Sequence, residues 1–193
     1  PTTADHEVLA EDYPLLPVRR RFWDGVLRTA DLGRSGQLRS QLRIVHEANQ
    51  SVADQPLGHV VGADFLYDQK SEDLLSAGLL MKEVQHLIAE QGALPNGTLR
   101  ARVLRIIALI TLLPSSGIGD LGVRANATTI ADLLVEDLAA DGAPLRRDVP
   151  DVLATLAAEG LLQDHDGEFR LQTKVGREWE EAYRHARASV GDC

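Results

Sequence analysis

The feature that most constrains the fold of this sequence is a helix that stops at a glycine and passes directly into an apolar strand. Four apolar residues before Gly160 have the spacing of one helix face, namely Val152, Leu153, Leu156 and Ala157. Leu161–Gln163 and Glu168–Gln172 follow, joined by a turn that contains the pair Asp166-Gly167. Because this pair tolerates positive φ and its flanks alternate, we predict a β-hairpin here, preceded by a short helix that begins after Pro144 and Pro150.

Two more helices are predicted before this unit. The first runs from Thr98 to about Leu113, and the second begins at Thr128 or Thr129. Three helices followed by a hairpin is the order of a winged-helix domain, which is a helix-turn-helix variant with a β wing. We therefore expect a winged-helix domain with a C-terminal helix over residues 98–193. The face of that last helix would carry Trp179, Tyr183 and Ala186.

The first 97 residues predict a second, helical domain. Its helices are expected to begin at Pro17, after Gly36 and at Ser71. The helix from Ser71 is expected to continue to Ile88, and a short β-like run is expected within residues 56–68. Residues 91–97 combine Gly, Pro and Asn, which favours a boundary there. The fold class is thus mainly α, with domains at 1–97 and 98–193.

The net charge, the cysteine content and the lengths of the apolar runs disfavour or exclude several classes of function. The net charge of −9 does not favour nucleic acid or an anionic membrane, because both attract a positive face. Cys193 is the only cysteine, which excludes a disulfide framework and a thiolate metal site in this sequence. We find no signal peptide and no apolar run of the roughly 18 residues that a membrane span needs. A cytoplasmic location is expected, and the start at Pro1 suggests an internal piece of a longer protein.

The motif Gly117-Ile118-Gly119-Asp120-Leu121-Gly122 matches the G-x-G-x-x-G pattern of dinucleotide-binding units. In those units the glycines let a pyrophosphate approach a helix N-terminus after a strand. Here the preceding apolar run is long enough for a helix, and no β-α-β succession follows. We therefore predict a flexible loop between two helices, with a Rossmann-type enzyme as an open alternative.

The predicted third helix is a poor DNA reader. Its outward residues would be Asp151, Thr155 and Glu159, and carboxylates repel phosphates. Four cations near it are candidate nucleic-acid contacts: Arg146, Arg147, Arg170 and Lys174. The balance favours protein contact, and a stand-alone DNA-binding winged helix stays open as an alternative.

An arginine-rich region lies near the start of the chain. It comprises Arg19, Arg20, Arg21, Arg28, Arg34, Arg39 and Arg43. These side chains either form a solvated face paired with carboxylates or bind an anion, since guanidinium groups match phosphate geometry. The histidines lack metal-ligand spacing, and no Walker A loop or serine triad is recognisable. We therefore expect no catalytic residue, no metal site and no cofactor in this chain.

Six strings occurring in order resemble one family. They are DYPLLPVRRRFW (residues 12–23), GQLRSQLRIVHEA (36–48), ADFLYDQ (63–69), TIADLLVEDL (129–138), RLQT (170–173) and EWE (178–180). Together they resemble the large P-loop ATPases of BREX and phage-growth-limitation systems, the BrxC/PglY family. The resemblance covers residues 12 to about 184.

The resemblance implies an internal fragment C-terminal to the nucleotide-binding core of such an ATPase. The first half would correspond to an AAA+ lid, and the second to an appended winged helix. The parent protein would bind ATP and Mg and act in a bacterial antiphage system, with other subunits of a phage-defence complex and DNA as candidate partners. The family's phosphate-binding loop has no counterpart here, so the fragment itself would not be an enzyme. Since such lids supply an arginine to nucleotide, Arg39 and then Arg43 are the candidates.

Overall fold

The protein is mainly helical with one small antiparallel sheet. The structure, a computed structural model, describes Asp5 and residues 8–30 and 37–172, and for residues 30 and 37–40 it describes the backbone alone. The helices of the described part are α1 (Leu9–Asp12), α2 (Pro17–Ala30), α3 (Gln37–Ser51), α4 (Phe65–Ser76), α5 (Lys82–Ala93), α6 (Thr98–Thr111), α7 (Ala127–Leu134) and α8 (Gly142–Ala158). The sheet pairs β1 (Leu162–His165) with β2 (Glu168–Leu171). The predicted helix near Val175 lies outside the described residues.

The predicted hairpin is confirmed. Its strands are antiparallel, and its two-residue turn is Asp166-Gly167, with φ of 55° and 84°. The carboxylate of Asp164 accepts a hydrogen bond from the Gly167 amide at 2.8 Å, which closes the turn. The helical segment before β1 ends at Gly160, whose φ of 70° is left-handed. Glycine suits this position because a residue with a Cβ is strained at that φ.

Helix α8 begins earlier than predicted. The sequence suggested that Pro144 and Pro150 precede a short helix, whereas α8 starts at Gly142 and includes both prolines. Pro144 occupies the first turn, where its missing N–H costs nothing because that group has no helical partner. Helix α7 begins close to its prediction, since the Asn126 side chain accepts a bond from the Thr129 amide at 2.9 Å.

Two predictions in the first half were wrong. The continuous helix expected from Ser71 to Ile88 is instead the two helices α4 and α5, separated by a turn at Gly78 with φ 70°. The β-like run expected within residues 56–68 is also largely helical or irregular, because α4 already begins at Phe65. Of that run, His59 forms an isolated antiparallel bridge with Asp137.

One cluster of buried aliphatic and aromatic side chains contains residues from both sides of residue 97. Its members include Phe22, Leu66, Leu104, Ile130 and Leu153. Main-chain hydrogen bonds also join the two sides: the Val60 amide donates to the Glu136 carbonyl at 2.7 Å, and the Ala63 amide to the Leu133 carbonyl at 2.9 Å. The two-domain division stays a prediction, and these contacts place both segments around a shared core.

A helix that spans a membrane must be both long and apolar. None of the helices within the described ranges combines the length and the apolar character that crossing a bilayer requires. The helices are instead amphipathic. In α6, for example, Val103, Ile106 and Ile107 are fully buried, while Arg102 and Arg105 lie at the edge of the core.

Candidate functional site

The two predicted nucleotide-contacting arginines lie on α3. Arg39 belongs to the first turn of this helix, and its side chain lies outside the described residues. Arg43 is exposed, with its Nε 3.7 Å from Glu47 Oε1 one turn further along. Residues four apart share a helix face, so the backbone places Arg39 and Arg43 on the same side of α3.

Two of the four predicted nucleic-acid contacts are paired with carboxylates. At the start of α8, Arg146 Nη2 lies 2.9 Å from Asp132 Oδ1, and Arg147 Nε lies 2.7 Å from Asp148 Oδ1. The hydrogen bond between the latter two raises the pKa of Arg147 and lowers that of Asp148. Arg170 is exposed on β2 and has no ion pair within the part of the chain that the structure describes, and Lys174 lies outside that part.

The outward face of α8 is acidic, as predicted from the sequence. Asp151, Thr155 and Glu159 are exposed, whereas the opposite face, with residues such as Leu153 and Leu156, is buried. The Thr155 hydroxyl donates to the Asp151 carbonyl at 2.8 Å, and Glu159 accepts a hydrogen bond from Arg100. This face therefore presents carboxylates where a DNA reader would present donors to phosphates and bases.

The glycine motif forms a loop that is closed by its own side chains. The Asp120 carboxylate accepts bonds from the Gly122 amide at 2.8 Å and from Arg124 Nη2 at 2.6 Å. These bonds, with that to Arg124 the largest cause, lower the pKa of Asp120 to about 2. Because α6 precedes the loop and the described sheet is a hairpin, the strand-to-helix context of a dinucleotide site is missing from the described part. Ile118 at the loop tip is fully exposed.

Arg19 has a role that the sequence did not reveal. Its side chain is 2% exposed and donates hydrogen bonds to three main-chain carbonyls, those of Val61, Asp132 (3.0 Å) and Val135 (2.6 Å). Burial lowers the pKa of Arg19 to about 10, which keeps the guanidinium charged at neutral pH. The periodicity of α2 contained a usable clue, because Arg19 precedes the buried Phe22 by three residues and so shares its face.

Arg102 of α6 also binds a carbonyl at this end of α7. Its Nε and Nη2 bind the two carboxylate oxygens of Asp64 at 2.8 and 3.0 Å, and its Nη2 also donates to the Leu134 carbonyl at 3.0 Å. Glu136 Oε1 lies 3.1 Å from the same nitrogen. Burial disfavours the charge on Arg102, but its bond to Asp64 and the nearby carboxylates outweigh burial and raise its pKa.

These contacts form one cluster at the C-terminal end of α7. We call it the α7 end cluster: the carbonyls of residues 132–136 together with Arg19, Arg102 and the amides of Val60 and Ala63. The last carbonyls of a helix have no partner within it, and the negative end of the helix dipole lies there. The guanidinium groups of Arg19 and Arg102 and the amides of Val60 and Ala63 donate to these carbonyls, and the two positive charges lie at the negative end of the dipole. The cluster therefore fixes α7 against α2, α6 and the segment before α4.

A polar pocket of about 390 Å³ opens beside this cluster. Arg105 Nη1 binds Asp68 Oδ2 at 2.9 Å on its wall, and the Arg105 guanidinium lies 5.8 Å from the centre of the Tyr67 ring. Burial raises the pKa of Asp68 and of Glu136, and it raises that of Tyr67 to about 12. Carboxylates and guanidinium groups line this pocket, and its charges suit ionic binding or structural pairing.

A second, apolar groove of about 400 Å³ lies on another side of α6. Its walls come from the α4–α5 turn, the α6 C-terminal end and β2, and include Leu79, Met81, Val84, Leu113, Phe169 and Leu171. The Phe169 amide donates to the Ala125 carbonyl at 2.9 Å, which attaches the hairpin to the loop before α7. Leu79 and Met81 leave part of this apolar wall exposed to solvent.

Within residues 5, 8–30 and 37–172, no three His, Cys, Asp or Glu side chains are grouped so as to bind a metal ion. No protein-family model, curated protein or solved structure matches this chain. The proposed function therefore depends on the sequence resemblance and on the geometry described above.

Proposed function

We propose that this chain is a non-catalytic fragment of a large ATP-binding protein of a BREX-type or phage-growth-limitation system. Its first half would be a lid-like helical unit, and its second half a winged helix that contacts other proteins of the defence complex. The observation that carries the proposal is the acidic outward face of α8, which follows α6 and α7 in the helix order of a winged helix. A face of this charge suits a basic protein surface better than a nucleic acid.

The helix order supports the winged-helix part of the proposal. Helices α6, α7 and α8 are followed at once by the hairpin, and α8 buries Val149, Leu153 and Leu156. The hairpin is joined to the helices through Leu162, which is 3% exposed. In this arrangement α8 is the helix that DNA-binding relatives of the fold would insert into the major groove.

Charge reversal on α8 tests the contact function in the full-length parent protein. Asp151→Lys should weaken assembly with the other subunits by about tenfold, since loss of an interfacial charge pair and a new repulsion cost on the order of 1.4 kcal/mol. Asp54→Lys, an exposed change in the loop after α3, is the matched control. If Asp151→Lys and Asp54→Lys both assemble as well as the unmodified protein does, the α8 face is not part of the interface.

The lid-like part of the proposal concerns nucleotide. We infer that Arg39, with Arg43 as the second candidate, contacts ATP that is bound with Mg in the core of the parent protein. Arg39→Ala in that protein should weaken ATP binding about tenfold or more, because a hydrogen bond to a charged group contributes about 1.5–3 kcal/mol. Arg28→Ala, an exposed arginine of α2, serves as the control. Unchanged ATP affinity and turnover in both Arg39→Ala and Arg43→Ala would exclude this role.

The isolated chain should not hydrolyse ATP. The sequence contains no Walker A loop, which is the element that positions the phosphates in P-loop enzymes. Phosphate release measured across successive purification steps is the assay. Hydrolysis that follows the chain through every step would contradict the proposal.

One observation favours DNA contact as a second function. Arg170 is exposed on the wing and forms no ion pair with a described residue. Arg146 and Arg147 are also exposed, although each is paired with a carboxylate. If these three arginines contact phosphates, the logarithm of the DNA affinity should fall with the logarithm of salt concentration with a slope of about −2.7. Gel shifts of the chain at several salt concentrations measure this slope, and the absence of a shift at low salt would exclude the second function.

A further inference from the structure

We propose that Asn96 is a site of spontaneous deamidation, and that it reacts only after the link between α5 and α6 has opened. The link comprises residues 94–97, within the stretch where the sequence favours a boundary between the two halves. The proposal concerns the chemistry of this link and does not depend on the parent protein or on the antiphage assignment.

The sequence of the link is chemically labile. The chain contains three asparagines, Asn49, Asn96 and Asn126, and among them Asn96 alone precedes a glycine. Asparagine is a thermolabile residue. A following glycine favours its reaction, because the next main-chain nitrogen must approach the side-chain amide carbon and no Cβ hinders that approach. Asn96 is also exposed, so water and base can reach it.

The reaction exchanges one C–N bond for another. The Gly97 main-chain nitrogen loses its proton to base and attacks the side-chain carbonyl carbon of Asn96, which forms a cyclic succinimide. The side-chain amide nitrogen takes up a proton and leaves as ammonia. Water then opens the ring at either carbonyl and gives aspartate or isoaspartate, so the sequence of steps needs no oxidant or reductant.

The folded link holds the attacking nitrogen in another hydrogen bond. The Gly97 amide donates to the Leu94 carbonyl at 2.8 Å, which closes a turn with Pro95 and Asn96 at its centre. Asn96 has φ 61°, as the third residue of a type II turn requires. The N–H that must lose its proton is thereby engaged with an acceptor, and the Asn96 main chain cannot rotate toward the attack geometry without breaking the turn.

Gly97 is also enclosed by the last turn of α5. It is buried, and a Cβ at this position would collide with the main-chain oxygen of Gln91. The Gln91 side chain joins α5 to α6, because its Oε1 accepts a hydrogen bond from Arg100 Nε at 2.7 Å. Arg100 in turn pairs with Glu159 of α8. Since these contacts hold the end of α5 against the start of α6, deamidation has to wait for local opening.

The isoaspartate product changes the link permanently. In isoaspartate the main chain runs through the former side-chain carbonyl carbon, which adds one methylene group to the backbone of the turn. The hydrogen bond from Gly97 to Leu94 would then have to close a longer segment, and Gly97 would no longer fit beneath the Gln91 carbonyl. An opening that leads to this product therefore leaves a link that cannot close as before, and modified chains accumulate with age.

Peptide mass spectrometry of the full chain tests the proposal. The chain is incubated at mildly alkaline pH, once folded and once unfolded in guanidinium chloride, and the conversion of Asn96 is followed with time. We expect the folded chain to react at least about tenfold more slowly, because only its open fraction reacts. In the unfolded chain Asn96 should react faster than Asn49 and Asn126, which precede residues with a Cβ.

Gln91→Ala tests the contacts of the link, with Gln85→Ala as the matched control. Gln85 lies on the same helix and bonds to Glu72, away from the link. Circular dichroism first establishes that both variants are folded. Because loss of the bond to Arg100 makes opening more frequent, folded Gln91→Ala should deamidate about two- to tenfold faster than folded Gln85→Ala.

The other outcomes overturn the proposal. Equal rates in the folded and unfolded chain would show that the fold does not protect Asn96, and no conversion in the unfolded chain would show that the Asn96-Gly97 pair is not labile. Equal rates in Gln91→Ala and Gln85→Ala would show that the contacts between α5 and α6 do not control the opening. The comparison of the folded and unfolded unmodified chain involves neither variant, so it decides the question even if one of them fails to fold.

Discussion

The end of α7 and the start of α8 are close in sequence, yet their arginine contacts are of opposite kinds. At the end of α7, Arg19 and Arg102 bind main-chain carbonyls and Asp64 with little access to water. At the start of α8, Arg146 and Arg147 pair with carboxylates in solvent. A buried carbonyl that loses its donor has no water to replace it, whereas an exposed pair exchanges freely with water. Arginine content alone therefore says little about anion binding.

Arg19→Ala should have the largest effect on this comparison. Three buried carbonyls lose their donor, so we expect the free energy of unfolding to fall by about 3–5 kcal/mol. Arg28→Ala is the matched control, because Arg28 lies on the same helix and is exposed. The control should change stability by less than about 1 kcal/mol. Urea unfolding followed by circular dichroism measures both, and equal losses would contradict the distinction between the two arginines.

Asp64→Asn should have the next largest effect. The Asp64 carboxylate is 7% exposed and forms two bonds with Arg102, so its loss leaves a largely buried guanidinium with a neutral partner. We expect a loss of about 2–3 kcal/mol in the free energy of unfolding. Asp54→Asn, at an exposed loop position, should have almost no effect and controls for the change of charge. A neutral result for Asp64→Asn would mean that the α7 end cluster does not need its carboxylate.

Asp141, in the turn between the two helices, should have an intermediate effect. Its Oδ2 accepts from the amides of Glu136 and Asp137 at 2.9 and 2.8 Å. Burial alone would raise the pKa of Asp141, but these two bonds outweigh it and lower the pKa. Asp141→Ala should therefore cost about 1–2 kcal/mol at neutral pH.

The effect of Asp141→Ala should also depend on pH in a defined direction. A carboxyl group whose pKa is lowered by folding contributes stability above its ordinary pKa and loses it as pH falls through the folded pKa. The difference in unfolding midpoint between the variant and the unmodified chain should therefore shrink in acid, below the ordinary pKa of 3.8. A difference that stays constant down to strong acid would show that the carboxylate charge is not what stabilises the turn.

Arg146→Ala should have the smallest effect. Arg146 and Asp132 are 64% and 49% exposed in their side chains, and exposed pairs contribute about 0–1 kcal/mol. We expect a loss of at most about 0.5 kcal/mol, screened further by salt, as measured by urea unfolding at two salt concentrations. A loss as large as that of Arg19→Ala would erase the contrast between the two regions.

Local sequence patterns predicted the hairpin and the helix α6 well. The pair Asp166-Gly167 is sufficient for a two-residue turn, and the apolar residues of α6 keep a helical period over its whole length. The prediction of α8 was wrong at its start, because the helix was expected after Pro144 and Pro150, whereas Pro144 lies in its first turn, which accepts proline, and Pro150 lies inside it. The turn at Gly78, which separates α4 from α5, was not predicted from the sequence either.

The contacts of the candidate site depend on tertiary structure and were harder to predict. Nothing in the local sequence around Arg19 names the carbonyl of Val135, which lies 116 residues further along the chain. The helical face shared with Phe22 could have shown that Arg19 is buried, but not what it binds. The acidic face of α8, by contrast, was predictable because it depends only on helical spacing around Asp151.

The α7 end cluster has a consequence for engineering the chain. If residues 98–172 were grafted onto another protein, the carbonyls of residues 132–136 would still have Arg102 as a donor. They would lose the other donors, which are Arg19 and the amides of Val60 and Ala63. The graft would then expose a polar helix end on the side that had faced the first half. Transplantation would succeed only if the host supplied a new cation and new amide donors at that end.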